Sequence, residues 1–162
     1  MRSTQDLPHH YAVIATGEPA GEVALEGTRL PTLGSASPAE FGGPGDRWSP
    51  ETFLVGAIAA CFVLTFRAVA RASKVPWTSL RCEVKGTLDR VDRAMQFTHI
   101  DIRARLRVPP RTNGDQARRA LDKAEHNCLI SNSLKATTQL ETEVDVARER
   151  PDTFAGEYAE TG

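Results

Sequence analysis

The run SPETFLVGAIAACFVLTFRAVARAS, Ser49 to Ser73, decides the fold. Ser49 is a good helix N-cap, and Pro50 suits the first helical position, where a backbone N–H has no partner anyway. Glu51, in the first turn, complements the helix dipole. From Phe53 to Leu64 nearly every position is apolar or small, and a helix that is apolar on all sides is a buried helix. Arg67, Arg71 and Lys74 then restore a polar face, and Pro76 ends the helix near Ser73. About 25 residues at 1.5 Å each span close to 37 Å. That is long for a chain of 162 residues, and it predicts a central helix packed by elements of more than one subunit.

On the N-terminal side, residues 9–16 (HHYAVIAT) read as a strand, Gly17 to Gly21 as a turn, and Glu22 to Glu26 as a second strand. Residues 28–33 (TRLPTL) add a third, with Pro31 suited to an edge. The stretch GSASPAEFGGPGDRW, broken by Gly42, Gly43, Pro44 and Gly45, is a surface loop placed to reach over a site. On the C-terminal side, Leu80, Cys82, Val84 and Leu88 share one strand face. Ile100, Ile102, Ala104, Leu106 and Val108 turn inward from the next strand, with Asp89 to Ala94 as the hairpin loop. Ala117, Ala120, Leu121 and Ala124 mark the buried stripe of a second helix, Asn113 to Asn127. A last strand covers Thr137 to Ala147.

The order is three strands, a long helix, two strands, a helix and a strand. This is an α+β layout, with antiparallel sheets around a long buried central helix. Residues 1–150 form a single domain and 151–162 a polar, flexible tail.

The bulk numbers exclude several classes. Hydrophobic residues at 40% and charged residues at 25% suit a soluble globular protein. A net charge of -1, with scattered Lys and Arg, offers no field for nucleic acid or an anionic membrane. The apolar run Phe53 to Leu64 is short of the roughly 20 residues that span a bilayer. The N-terminus shows no basic flank and apolar core, so a cytoplasmic protein is expected. Three cysteines, Cys61, Cys82 and Cys128, are too sparse for a secreted disulfide framework. None lies in a CxxC or Cys/His cluster, so neither a metal nor a cofactor is expected.

A cysteine on an apolar helix is usually a small core residue, and that reading applies first to Cys61 and to Cys82. Cys128 follows the second helix among the polar residues His126, Asn127, Ser131 and Asn132, a reachable place for a resolving thiol. Glu51 and Cys61 stand ten positions apart on one helix, about 15 Å along its axis. If both serve one site, Glu51 must reach the Cys61 of a partner chain. That arrangement predicts an intertwined homodimer with two sites.

SPETFLVGAIAACF, followed far downstream by AEHNCLIS, resembles the OsmC/Ohr family (osmotically inducible protein C and organic hydroperoxide resistance protein). The match includes the turn from Ala15 to Gly21, the GGPG loop and the VKGTL strand. The resemblance implies an OsmC-like fold in an intertwined dimer with active sites at the subunit interface. It implies that Cys61 attacks an organic hydroperoxide and becomes a sulfenic acid. Cys128 would then form a disulfide with it, and a dithiol reductant (lipoyl or another thiol) would restore the pair. Glu51 matches the carboxylate that orients the family's catalytic arginine.

One position departs: where the Ohr branch has that arginine in the first turn, this chain has Pro19. A buried thiol needs help to ionise, because desolvation raises its pKa. Arg47 is the first candidate to replace the missing charge, and Arg29 the second. Besides a purely structural or interaction protein, where a resolvable cysteine pair would be unneeded, two alternatives compete with a peroxidase. One is an OsmC-like protein with little peroxidase activity that binds a hydrophobic small molecule or senses oxidants. The other is a cysteine-dependent acyl transferase or hydrolase, which would need a base such as His9, His10, His99 or His126 beside Cys61.

Overall fold

A computed structural model describes residues 6–149. The expected tail, 151–162, lies outside the described residues. The chain divides into two compact units, one ending at Leu54 and the other beginning at Val55.

The first unit holds a three-stranded antiparallel sheet of β1 (Ile14–Thr16), β2 (Val23–Glu26) and β3 (Leu33–Ser35) in that order. The third strand starts later than the sequence suggests. Leu30 N–H bonds to Gly27 C=O at 3.1 Å, and Arg29 has φ 62, so residues 27–30 close a turn instead of extending. The GGPG loop is a tight structure: after a short 3-10 turn at Ala39–Phe41, Phe41 and Gly43 both donate to Pro38 C=O at 3.0 Å. A Cβ at Gly43 would fall 1.6 Å from the Ser37 carbonyl oxygen, so the position accepts only glycine.

The helix α1 (Pro50–Ala72) starts in this unit and runs unbroken into the second. Its start is capped as expected, with a threonine in the reciprocal role. Ser49 N–H donates to Thr52 Oγ1 at 2.8 Å, and Thr52 N–H donates to Ser49 Oγ at 3.2 Å. Its end is a Schellman motif, with Lys74 at φ 54, Val75 N–H on Ala70 C=O at 2.9 Å and Lys74 N–H on Arg71 C=O at 3.3 Å. Gln116 Nε2 further satisfies the carbonyl of Ser73 at 3.0 Å.

In the second unit, β4 (Ser79–Val91), β5 (Ala94–Val108) and β6 (Thr137–Val146) form one sheet in that order. β4 and β5 make an antiparallel hairpin closed by only Asp92 and Arg93, both at positive φ (49 and 69). This is tighter than the loop expected from Asp89 to Ala94; the strand pairing continues to Val91 and Ala94. β6 joins β5 in parallel, so the expectation of antiparallel sheets holds for the first sheet and for β4–β5 but not here. The reason is the crossover: α2 (Gly114–His126) and a short α3 (Leu129–Asn132) carry the chain back to the starting end of β5.

The inward face of β5 is Ile100, Ile102, Ala104, Leu106 and Val108, all buried as its alternation predicts. They pack with Ile58, Phe62, Phe66, Val69 and Ala70 of α1 and with Ala117, Ala120, Leu121 and Ala124 of α2. Facing out, Arg103, Arg105 and Arg107 pair with Glu141, Glu143 and Asp145 at 2.8, 2.9 and 3.4 Å, one rung per register pair of β5 and β6.

By length and composition α1 could cross a membrane, with mean hydropathy 2.2 over its most apolar 18 residues, but one stripe of it is the core just described. The expectation of burial on all sides is met only there. Ala57, Ala60, Leu64 and Ala68 form a second apolar stripe that is exposed in the single chain, Leu64 by 57%.

Candidate active site

α1 places Cys61 one residue before the buried Phe62, at the border between the core stripe and the exposed stripe. Its thiol is therefore partly exposed. Thr65, one turn further on, brings its Oγ1 to 3.9 Å from Cys61 Sγ. Across from α1, α2 ends and Cys128 caps the start of α3. Thiols 61 and 128 meet here, each bearing directly on the ionisation of the other, and both are free.

The two thiols have opposite tendencies. Burial raises the Cys61 pKa, but the N–H of Ile130, the Cys128 thiol, the Thr65 hydroxyl and the N–H of Leu129 outweigh it, so the group ionises more readily than an ordinary thiol. Backbone N–H groups in the first turn of α3 thus supply part of the positive potential that the sequence reading sought from an arginine. At Cys128 burial dominates and the pKa is raised, although the Ser131 hydroxyl and N–H act against it and the Cys61 thiol adds to the rise. Cys128 is 0% exposed, so it is closed to solvent, unlike the open position expected from its polar neighbours, while it still meets the Cys61 thiol. Asn127, Glu125 and His126 turn outward or to the border while the cysteine between them and α3 turns in. The accessible sulfur of the pair is Cys61.

Cys82 lies on the inner side of β4, half-buried, and burial together with the nearby Cys128 and Glu83 pushes its thiol up to about 11. At neutral pH it therefore stays a thiol, unlike the more readily ionised Cys61.

The remaining candidates lie in the first unit. Glu51 opens α1, and its Oε2 is buried without a hydrogen-bond partner among the described residues. Arg47 pairs with Glu22 at 3.3 Å and with Asp46 at 3.0 Å, its side chain half-exposed. Arg29 is exposed on its turn. Trp48 stacks on Phe53 with ring centroids 5.6 Å apart. The unit also holds an apolar cavity of about 350 Å³, lined in part by Val23, Leu25, Pro50 and Phe53.

A family model described as OsmC-like protein matches residues 43–143. The chain belongs to the OsmC-like family. It is 30% identical over 114 residues to the uncharacterized protein YmaD of Bacillus subtilis, covering 67% of this chain and 75% of that one. Its fold is similar to that of an OsmC-like protein of unknown function from Vibrio cholerae, with TM-score 0.76 and 16% identity over 83% of this chain and 99% of that one. It is also similar to an organic hydroperoxide resistance protein OsmC from Legionella pneumophila (TM-score 0.67, 24% identity, 86% and 100% covered). A third likeness is to an organic hydroperoxide resistance protein from Elizabethkingia anophelis (TM-score 0.68, 17% identity, 87% and 100% covered).

Within this OsmC-like chain the sequence reading missed Thr65 and the N–H groups of Leu129 and Ile130, and named Ser131 only as a polar neighbour of Cys128. Thr65 had a readable signal, since positions four apart on a helix share a face. The others had none: α3 has four residues, too few for a helical period to show.

Proposed function

We propose that this OsmC-like protein is a thiol-dependent peroxidase that reduces organic hydroperoxides to alcohols. Family membership supports a redox or peroxide-related role. The observation that carries the finer reading is the meeting of an accessible, readily ionised Cys61 with a buried Cys128. The Cys61 thiolate attacks the outer peroxide oxygen, the O–O bond breaks, and the alkoxide leaves and takes a proton. The resulting sulfenic acid condenses with the Cys128 thiol, forming the disulfide and releasing water. A dithiol reductant, lipoyl-bearing or otherwise, returns both cysteines to thiols and is itself oxidised. Free thiols suit a cytoplasmic setting.

A homodimer belongs to the same proposal. The exposed stripe Ala57, Ala60, Leu64 and Ala68 is shaped by small residues for close helix approach, and Glu51 has a buried oxygen that calls for a cation. Arg47 or Arg29 of a second copy would meet that demand and complete a site at the interface.

The test is to treat reduced protein with one equivalent of cumene hydroperoxide, quench within seconds and map the cysteines by mass spectrometry. A rapid Cys61–Cys128 disulfide with Cys82 untouched is the expected result. Slow or unselective oxidation would sink the peroxidase reading.

The cavity in the first unit favours a second reading, a binder of hydrophobic small molecules with little turnover. In that case Cys61→Ser would leave ligand binding intact, whereas a peroxidase would lose all turnover. The acyl-transfer alternative has less support, since no histidine is among the main influences on the Cys61 thiol.

A further inference from the structure

A sulfur sealed in the core must act as a thiolate at two steps of this cycle. Cys128 is first the nucleophile that closes the disulfide. It is then the leaving group when the disulfide opens, and this follows from exposure. Of the pair, only Cys61 is partly open to solvent, so an incoming thiolate attacks Cys61 Sγ and the electrons of the S–S bond depart on Cys128. Thiol–disulfide exchange is faster when the leaving thiol is a weaker base.

The side-chain donor at Cys128 is Ser131, whose Oγ donates to Sγ at 3.3 Å. Ser131 is itself only 7% exposed. Its turn is held from several directions. Asn132 N–H bonds to Cys128 C=O at 3.0 Å, Asn132 Nδ2 to His126 C=O at 3.0 Å, and Ser133 Oγ to Leu129 C=O at 2.7 Å. The hydroxyl is thereby fixed on the sulfur before any charge develops, which is what makes a donor effective at a buried anion.

We propose that Ser131 is a positioning residue that stabilises the Cys128 thiolate in both half-reactions, and so sets the rates of disulfide formation and reduction. The proposal rests on Cys61 and Cys128 being the redox pair. A purely structural serine would need only some acceptor, and its loss would change stability without changing either rate.

The experiment uses the full chain. Diamide, which takes up two hydrogens from a dithiol, forms the Cys61–Cys128 disulfide without any peroxidase chemistry. Reduction by dithiothreitol is then timed for the wild type, Ser131→Ala and Ser131→Thr. In parallel, sulfenic acid at Cys61 is trapped with dimedone after one equivalent of cumene hydroperoxide, across a pH series. Ser131→Ala is expected to slow reduction by about fivefold or more. It should also prolong the sulfenic acid and move the pH midpoint of its conversion to disulfide upward, while Ser131→Thr stays near wild type. If Ser131→Ala does not fold, Thr and Val at this position make the same comparison.

Unchanged rates and an unmoved midpoint would overturn the proposal and leave the peroxidase reading standing. Slowed reduction of the diamide disulfide in a protein that forms no sulfenic acid would do the reverse. Failure of diamide to join Cys61 and Cys128 would overturn both.

Discussion

Cys61 Sγ and Thr65 Oγ1 lie 3.9 Å apart, one turn of α1 between them. The threonine hydroxyl joins the N–H groups of α3 in favouring the thiolate. Cys61 therefore stays ionised to lower pH than an ordinary thiol, and its reactivity is lost as pH falls through that lowered value. Alkylation by iodoacetamide, followed residue by residue by mass spectrometry, should show this midpoint. Thr65→Val should shift it upward; a midpoint unaffected by the change would remove Thr65 from the site.

Cys82 gives the matching negative prediction. With its thiol pushed up to about 11, it should resist alkylation through neutral pH and react only in strong alkali. Cys82→Ala should leave peroxide-driven disulfide formation at the wild-type rate. A slower reaction would mean that the third cysteine takes part in the exchange.

Arg47 is paired with Glu22 and Asp46 on a half-exposed surface, where such pairs contribute about 0–1 kcal/mol. Arg47→Ala should thus barely change the melting temperature. If Arg47 supplies the charge missing at Pro19, the same variant should slow peroxide attack at least roughly tenfold in stopped-flow measurements, the equivalent of about 1.4 kcal/mol. An unchanged rate would move attention to Arg29.

Leu64 tests the dimer. Leu64→Glu puts a charge on the exposed apolar stripe of α1 and, in a dimer joined through that stripe, should yield monomers by light scattering. A monomeric wild type would refute the arrangement outright.

Gly86 tests the packing of β4 beneath α1. A Cβ there would sit 2.8 Å from Phe97 Cε1 and 3.0 Å from Val55 Cγ2. Gly86→Ala should destabilise the fold by about 1–3 kcal/mol in urea unfolding, as overpacking does. Stability equal to wild type would show that the Phe97 ring moves aside freely.

Much of this is legible in the amino-acid sequence. Ser49, Pro50 and the apolar run fix α1, because capping and a continuous apolar run are local features of sequence, whereas the exposed stripe of Ala57, Ala60, Leu64 and Ala68 is set by what packs on the helix. The alternation from Ile100 to Val108 fixes the inner face of β5 for the same reason. The parallel partnership of β6 was not legible, since alternation says which face is buried and nothing about the neighbouring strand. Nor was the activation of Cys61. Its principal donor, the N–H of Ile130, comes from a distant segment, and backbone groups leave no trace in residue identity. The polar residues around Cys128 pointed the wrong way, because a turn can face its polar side chains outward and its cysteine inward.

The ladder of Arg103, Arg105 and Arg107 against Glu141, Glu143 and Asp145 is a poor ruler. It repeats every second residue, so a strand slipped by two would still find opposite charges for most of its rungs. The hidden face carries the real scale marks: Ile102 beside Leu140, Ala104 beside Thr142, Leu106 beside Val144. A slip of two would slide β6 by about 7 Å. Only residues 133–136 separate that strand from α3, so the slip would pull directly on the turn that holds Cys128. The alignment of the two sulfurs is thus inherited from the bulk and smallness of side chains on a strand that carries neither cysteine.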